Sequence, residues 1–166
     1  NSLIELFFYQ SQKQDPKSIF LQWLNPNNKK NFTWEETKIN IFKLSKTIKN
    51  NVKEGDRCLL VSENRPEWFI SDLAIMLSGA ITVPAYTTYT EEDYKYLIED
   101  CEPTVVIVSN NDMLKKLNKI INEKNFIKKV ITFDEVEKAC NNLNIDNKEK
   151  YLDFNSIIQN DLSEKD

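Results

Sequence analysis

The sequence predicts an α/β fold in which a mostly parallel sheet is covered by helices on both faces. Short apolar runs at 57–61, 105–108 and 130–133 are typical of strands that are buried on both faces. Segments with helical spacing of apolar residues alternate with these runs, an order that forms parallel sheets. The length of 166 residues suits one domain with a real core.

The first thirty-three residues predict a helix followed by a β-hairpin. Ser2 begins the helix, because Glu5 stands three residues later and completes a capping box. Residues 18–24 are rich in β-formers, and the turn residues of 25–28 separate them from a second such run. We therefore expect two antiparallel strands in this part of the chain.

A longer amphipathic helix follows the hairpin. Thr33 and Glu36 form its capping box, and apolar residues recur at helical spacing to give one buried stripe. We expect this helix to end at Asn50 or Asn51, because asparagine tolerates the left-handed conformation that is common at helix C-termini.

The next segment predicts a strand, a helix and a second strand. The run 57–61 is the first strand, and Asn64 is the expected cap of the helix. The expected buried side of that helix consists of Phe69, Leu73, Met76, Leu77 and Ala80. The strand 81–83 follows, and Pro84 is expected to stop its ladder, because proline has no N–H to donate.

Further helix and strand segments complete the predicted sheet. Thr90 and three acidic residues after it begin a helix, and Pro103 prevents its continuation. The strand 105–108, another amphipathic helix and the strand 130–133 come next.

The chain divides into two parts by pattern. Residues 1–136 form the α/β subdomain. Residues 137–166 are more polar, and we expect a loop and a short helix that continue into further chain.

Composition excludes several classes of function. The formal net charge is −4 and the lysines are scattered, which argues against nucleic-acid binding. No histidine occurs, and the three cysteines have no metal-binding spacing, so triad hydrolases and zinc sites fit poorly. No unbroken apolar span and no secretory signal is visible, so we expect a cytoplasmic location.

A set of motifs in fixed order carries a resemblance to a known family. The most specific are Ser-Glu-Asn-Arg-Pro-Glu-Trp at 62–68 and Val-Pro-Ala-Tyr-Thr-Thr at 83–88. Supporting motifs lie at 33–36, 52–57, 72–74 and 79–80. Together they resemble the N-terminal part of AMP-forming acyl-CoA synthetases of the long-chain fatty-acid type, over about residues 3–133. Asn51 and Thr87 depart from the family pattern, where glycine and proline are usual.

The resemblance implies the first subdomain of the large N-terminal domain of an adenylate-forming enzyme. Such a ligase uses ATP and Mg²⁺ to convert a fatty acid to acyl-AMP, and then transfers the acyl group to CoA. Its partners would be these small molecules and the remainder of its own chain, with peripheral attachment to a membrane left open. The family's phosphate loop, Thr-Glu motif and C-terminal lysine have no counterpart before Asp166, so we expect this chain alone to be inactive.

Few residues are candidates for a site, and none is a predicted catalytic, cofactor or metal residue. Arg65 is a candidate phosphate contact, because anions are favoured at helix N-termini. Its acidic neighbours Glu63 and Glu67 favour instead an anchoring role. Tyr86, Thr87 and Thr88 follow a strand end, where open α/β sheets place ligands, and are candidates for lining a substrate or CoA channel.

Other functions stay open at this point. Within the superfamily, the alternatives are an adenylation domain of non-ribosomal peptide synthesis and a fatty-acyl-AMP ligase. Outside it, a receiver-like binding module would need an acidic residue at the end of a central strand, whereas the run 105–108 ends in Ser109 and Asn110. A non-catalytic remnant that binds a partner is the last alternative.

Overall fold

The computed structural model describes residues 2–25, 28–136, 141, 143, 145 and 147–159. The strands are β1 (Ile19–Asn25), β2 (Asn28–Thr33), β3 (Arg57–Val61), β4 (Ile81–Ala85), β5 (Val105–Val108), β6 (Lys129–Thr132) and β7 (Tyr151–Asp153). The helices are α1 (Leu3–Ser11), α2 (Trp34–Lys49), α3 (Pro66–Leu77), α4 (Glu91–Cys101), α5 (Asn111–Glu123) and α6 (Phe154–Gln159), with one 3₁₀ turn at Lys148–Lys150.

The main sheet confirms the predicted fold class. Its five strands run in the order β4-β3-β5-β6-β7, and every neighbouring pair is parallel. β1 and β2 form the predicted antiparallel hairpin beside it. Helices connect β3 to β4, β4 to β5 and β5 to β6, as parallel strands require.

Alternate residues of each central strand enter two separate cores, one on each face of the sheet. On one face, Leu60 and Ile107 pack with α1, α2, α3 and α6. On the other face, Leu59 and Val106 pack with α4 and α5. This division follows from the strand geometry, because successive side chains point to opposite faces.

Local caps begin the helices largely as predicted. The capping boxes of Ser2 with Glu5 and of Thr33 with Glu36 are both complete. The expected end of α2 was right in place but wrong in conformation, because Asn50 is right-handed with φ −68°. The side-chain amide of Asn51 instead donates to the Thr47 carbonyl at 2.9 Å, which satisfies an acceptor of the last turn.

The start and the buried side of α3 differ from the prediction. Arg65, not Asn64, occupies the cap position, and it makes no side-chain cap bond because a guanidinium has only donors and cannot accept from the helix N–H groups. The buried residues of α3 are Pro66, Glu67, Ile70, Ser71, Leu73, Ala74 and Ile75. Phe69, Met76 and Leu77 pack against the first core but are only half-buried.

Pro84 does not stop its strand, which was a wrong prediction. β4 continues to Ala85, and Pro84 lies opposite Leu60. The Ile81 N–H points toward β3, where it donates to the Asp56 carbonyl. Backbone nitrogens of successive strand residues point to alternate sides, so the nitrogen of Pro84, three residues later, points away from β3. β4 is an edge strand, where the missing N–H removes no ladder bond.

The segment after residue 136 contributes a strand that the sequence did not predict. β7 pairs in parallel with β6, and the predicted short helix follows it as α6. Three residues are too few to reveal an alternating pattern. The proposed division at residue 136 stays a prediction, and Cys140 and parts of the turn at 25–28 lie outside the described residues.

Candidate functional site

The strand order predicts a ligand crevice at the carboxyl ends of β3 and β5. β3 is followed along the chain by β4 on one side and has β5 on its other side. In open parallel sheets, ligands bind at such a reversal point, beyond the carboxyl ends of the strands. The loops that follow β3, β4, β5 and β6 therefore form the candidate site.

Arg65 connects several of these loops through its guanidinium group. Its Nη1 donates to the Ser109 carbonyl at 3.0 Å, beyond the end of β5, and to Asp134 Oδ1 at 3.3 Å, beyond β6. Its Nε and Nη2 each lie 3.3 Å from a carboxylate oxygen of Glu67. We name Lys30, Glu63, Arg65, Glu67 and Asp134 the Arg65 cluster. This cluster holds three strand ends and the first turn of α3 together.

The centre of the Arg65 cluster is buried. The Glu67 side chain has no exposure and the Arg65 side chain is 7% exposed. Lys30, from the hairpin, lies 2.7 Å from Glu67 and completes its pairing. The rings of Trp23 and Phe133 lie 4.8 Å and 5.4 Å from Arg65 Cζ. Such contacts suit a planar cation that is weakly hydrated.

The pairing within the cluster keeps both central groups charged. Burial acts to raise the pKa of Glu67, but hydrogen bonds from Lys30 and Arg65 outweigh it and hold the pKa below its ordinary value. Burial likewise acts to lower the pKa of Arg65, and its bonds to Glu67 and the charge of Asp134 raise it instead.

Arg65 has little capacity left for a ligand phosphate. Four of its N–H groups are engaged by Glu67, Ser109 and Asp134. The geometry favours the anchoring role that its acidic neighbours suggested. Contact with a phosphate stays a prediction for this residue.

The loop after β4 holds the other predicted site residues. Tyr86 is 73% exposed, Thr88 is exposed and Thr87 is half-buried. We name residues 86–90 the β4–α4 loop. The Tyr94 hydroxyl donates to the Tyr86 carbonyl at 2.5 Å, and Lys116 Nζ donates to the Tyr89 carbonyl. The strand order places this loop next to the one that carries Arg65.

Sequence reasoning missed the residues that hold this loop and several partners of Arg65. Tyr94 stands in an apolar helical stripe, so its position predicts only burial. Lys116 lies 27 residues from its acceptor, and Asp134 lies 69 residues from Arg65. No local pattern predicts pairings over such distances.

The acidic residues in the first turn of α4 stabilise the beginning of that helix. Asp93 and Thr90 form a complete capping box, and Glu91 and Glu92 occupy the first turn. Among the residues that the structure describes, no three His, Cys, Asp or Glu side chains are grouped so that they could hold a metal ion.

Comparison with known protein families assigns this chain to one of them. The family model described as AMP-binding enzyme matches residues 8–163, which is nearly the whole chain. The chain belongs to the AMP-binding enzyme family. The resemblance drawn from the motifs at 62–68 and 83–88 is thereby confirmed.

Named members of the family give the chain its context. It is 28% identical over 88 residues to the long-chain-fatty-acid–CoA ligase ACSBG1 of Rattus norvegicus, a match that covers 53% of this chain and 12% of that protein. It is 38% identical over 64 residues to the long-chain-fatty-acid–CoA ligase FadD15 of Mycobacterium tuberculosis, covering 39% of this chain and 11% of that protein. The matched segments are thus a small part of these relatives.

A solved structure confirms the fold. Coronafacic acid ligase from Pectobacterium brasiliense superposes with a TM-score of 0.77 at 19% identity, over 97% of this chain and 30% of that one. The α/β fold of this chain is therefore also the fold of part of that ligase.

Two observations concern groups that could bind the nucleotide. ATP phosphates and Mg²⁺ need clustered carboxylates, backbone N–H groups or free cations. The described residues include no acidic cluster that could hold a metal ion, and the Arg65 guanidinium is engaged by its own carboxylates.

Membrane contact is addressed by one further observation. None of the helices that the structure describes has both the length and the apolar character needed to cross a lipid bilayer.

Proposed function

We propose that this chain is part of an ATP-dependent ligase that activates a long-chain fatty acid as acyl-AMP and transfers the acyl group to CoA. The observation that carries the proposal is the family match over residues 8–163. The relatives from a mammal and a bacterium that are named as long-chain-fatty-acid–CoA ligases support the choice of substrate.

The contribution of this chain to such a ligase is structural. Arg65 holds the carboxyl ends of β3, β5 and β6 in fixed positions, so the crevice keeps its shape when a ligand enters. The β4–α4 loop supplies Tyr86, Thr87 and Thr88 as one wall of the channel for the acyl substrate or CoA. ATP, Mg²⁺ and CoA would bind mainly through residues elsewhere in the complete protein, which we expect to supply the catalytic groups.

Two assays test the proposal on the complete protein that contains this chain. The first is exchange of pyrophosphate into ATP that depends on an added fatty acid, and the second is acyl-CoA formation. We expect both activities with palmitate and much weaker activity with butyrate. Absence of exchange with any fatty acid by a folded, complete protein would refute the assignment.

The same assays on residues 1–166 alone test the expected inactivity. We expect neither exchange nor acyl-AMP formation above the level without protein. Any fatty-acid-dependent turnover by this chain would place catalytic groups within it and contradict the proposed structural role. Circular dichroism of the same sample confirms that the chain is folded during the assay.

The superfamily alternatives give different products. A fatty-acyl-AMP ligase would form acyl-AMP that persists when CoA is added, whereas the proposed ligase consumes it. An adenylation domain of peptide synthesis would prefer amino acids over fatty acids in the exchange assay. Each result would replace the acceptor or the substrate in the proposal while leaving the family assignment intact.

A further inference from the structure

The β4–α4 loop is held from two helices that lie outside it. Tyr94 of α4 donates its hydroxyl to the Tyr86 carbonyl, and Lys116 of α5 donates its ammonium group to the Tyr89 carbonyl. The Tyr89 N–H also donates to the Tyr86 carbonyl, at 3.3 Å. The backbone on both sides of Thr87 and Thr88 is therefore fixed by groups that belong to the helices.

Tyr94 is itself fixed by the core. Its side chain is fully buried and packs in the same cluster as Leu59, Val61 and Ile98. Burial raises the pKa of Tyr94 to about 12, so its hydroxyl keeps its proton and can donate at neutral pH. Packing of the second core thus sets the position of the Tyr86 carbonyl.

Lys116 extends this arrangement across two helices. Its Nζ lies 5.2 Å from the centre of the Tyr94 ring, and the Tyr94 ring lies 5.8 Å from that of Tyr89. Three glutamates, Glu91, Glu92 and Glu123, and two further lysines, Lys95 and Lys119, line the groove between α4 and α5 with this lysine. Asp93 also interacts electrostatically with Lys116. Lys116 therefore lies in a groove that contains carboxylates as well as other lysines.

The loop presents an aromatic surface while its polar backbone faces the helices. Tyr86 is 73% exposed, and its ring meets the Tyr89 ring edge-on at a centroid distance of 5.7 Å. The Lys116 ammonium group donates to the Tyr89 carbonyl, beneath the loop, so the exposed Tyr86 side chain forms most of the surface that the loop presents. That chemistry suits the hydrocarbon chain of an acyl substrate better than it suits a phosphate.

We propose that Tyr94 and Lys116 are positioning residues, which hold Tyr86 in place as a specificity-determining wall for the acyl chain. This inference rests on the proposed function and names the part of the substrate that the loop would contact. Neither residue touches the substrate. Each acts through a backbone carbonyl of the loop, so its loss changes how the wall is held and leaves the reacting groups in place.

The test uses Tyr94→Phe and Lys116→Met in the complete ligase. Phenylalanine keeps the buried ring and removes only the donor, and methionine keeps most of the lysine stem. We expect each variant to raise the KM for palmitate by about three- to tenfold, the effect of losing one hydrogen bond. The kcat and the KM for ATP stay unchanged, because the loop does not contact the nucleotide in this proposal.

Matched controls lie on the same helices. Tyr96 is 72% exposed on α4, and Tyr96→Phe removes a hydroxyl from the same helix. Lys119 is exposed on α5, and Lys119→Met removes a charge one turn after Lys116. Both controls should keep the wild-type KM for palmitate.

The outcomes separate this inference from the proposed function. An active wild type in which neither variant changes the KM for palmitate overturns the positioning role alone. Equal loss of kcat with palmitate and butyrate, with the KM values unchanged, also overturns it, because that result indicates a merely structural effect. A folded wild type without fatty-acid-dependent activity refutes the proposed function, and the assignment of the acyl channel falls with it. If Tyr94→Phe fails to fold, Lys116→Met decides.

Discussion

Gly55 and Gly79 are joined by a hydrogen bond, in which the Gly55 N–H donates to the Gly79 carbonyl at 2.9 Å. They are the only two glycines of the chain, and both are left-handed, with φ +81° and +86°. Gly55 lies just before β3 and Gly79 just before β4. This bond therefore links the turns that lead into two adjacent parallel strands.

Replacing Gly55 should reveal the strain of this turn. A Cβ at Gly55 meets no atom within 4 Å, so Gly55→Ala adds backbone strain without a clash. We expect the free energy of unfolding to fall by about 1–2 kcal/mol. Gly55→Asn should recover part of that loss, because asparagine tolerates the left-handed region better than alanine. Urea denaturation measures both, and equal losses for Ala and Asn would contradict the conformational explanation.

Glu67→Gln should weaken the fold at neutral pH. The substitution removes the carboxylate between Lys30 and Arg65 in a buried setting. We expect the free energy of unfolding to fall by about 3–5 kcal/mol, the usual effect of removing one partner of a buried pair. The matched control is Glu99→Gln. Glu99 Oε1 and Lys124 Nζ are also 2.7 Å apart, but both side chains are more exposed. Loss of this ion pair should therefore change the free energy of unfolding little.

The acid dependence of stability gives a second measure of Glu67. Its folded-state pKa lies below the ordinary 4.5, so its stabilising contribution is complete above pH 4.5 and is lost as the pH falls through the lowered value. Stability of the wild type should therefore decline below pH 4.5 with a slope that Glu67→Gln makes shallower. Identical acid slopes in the two proteins would show that the carboxylate is not stabilised by its partners.

Sequence reasoning succeeded where the controlling contact is local. The capping boxes at Ser2, Thr33 and Thr90 join residues three positions apart, so the sequence alone predicts where these helices begin. The apolar strand 105–108 was predictable because both of its faces are buried. Alternation of strands and helices then determined the parallel sheet.

The parts that failed depend on partners distant in the chain. Arg65 reaches Ser109 over 44 residues and stands at the cap position without a cap bond, so the prediction of Asn64 as the cap was wrong. Pro84 breaks a ladder only in a strand with two neighbours, and its place at the edge is a property of the whole sheet. The strand conformation of β7 depends on its pairing with β6. A run of three residues gives no sequence signal of that pairing.

Thiol labelling tests the burial of the two described cysteines. Burial raises the pKa of Cys58 to about 12, with a smaller contribution from the charge of Asp56. Burial also raises the pKa of the half-buried Cys101, against the charge of Arg57. In a Cys140→Ser background at pH 8, we expect Cys58 to react at least about a hundredfold more slowly than in the unfolded chain, since the thiolate is the reactive form. Cys101 should react first, and rapid labelling of Cys58 would contradict the buried position of β3.

Arg65→Ala in the complete ligase separates anchoring from phosphate contact. Alanine removes the bonds that join α3 to the loops after β5 and β6, and leaves Glu67 buried with Lys30 alone. We expect a lower melting temperature, and parallel increases in the KM values for ATP, CoA and fatty acid as the crevice loses its shape.

Arg65→Lys supplies the control for charge in the same assay. Lysine keeps the positive charge but lacks the planar guanidinium that reaches Glu67 and Ser109 together. Under the anchoring role, Arg65→Lys should therefore lower the melting temperature about as much as Arg65→Ala does. A bound phosphate requires mainly a cation, and lysine would then restore the KM for ATP. If Arg65→Ala raises the KM for ATP or CoA alone, and Arg65→Lys restores it at unchanged melting temperature, the guanidinium is a phosphate ligand and the anchoring role is wrong.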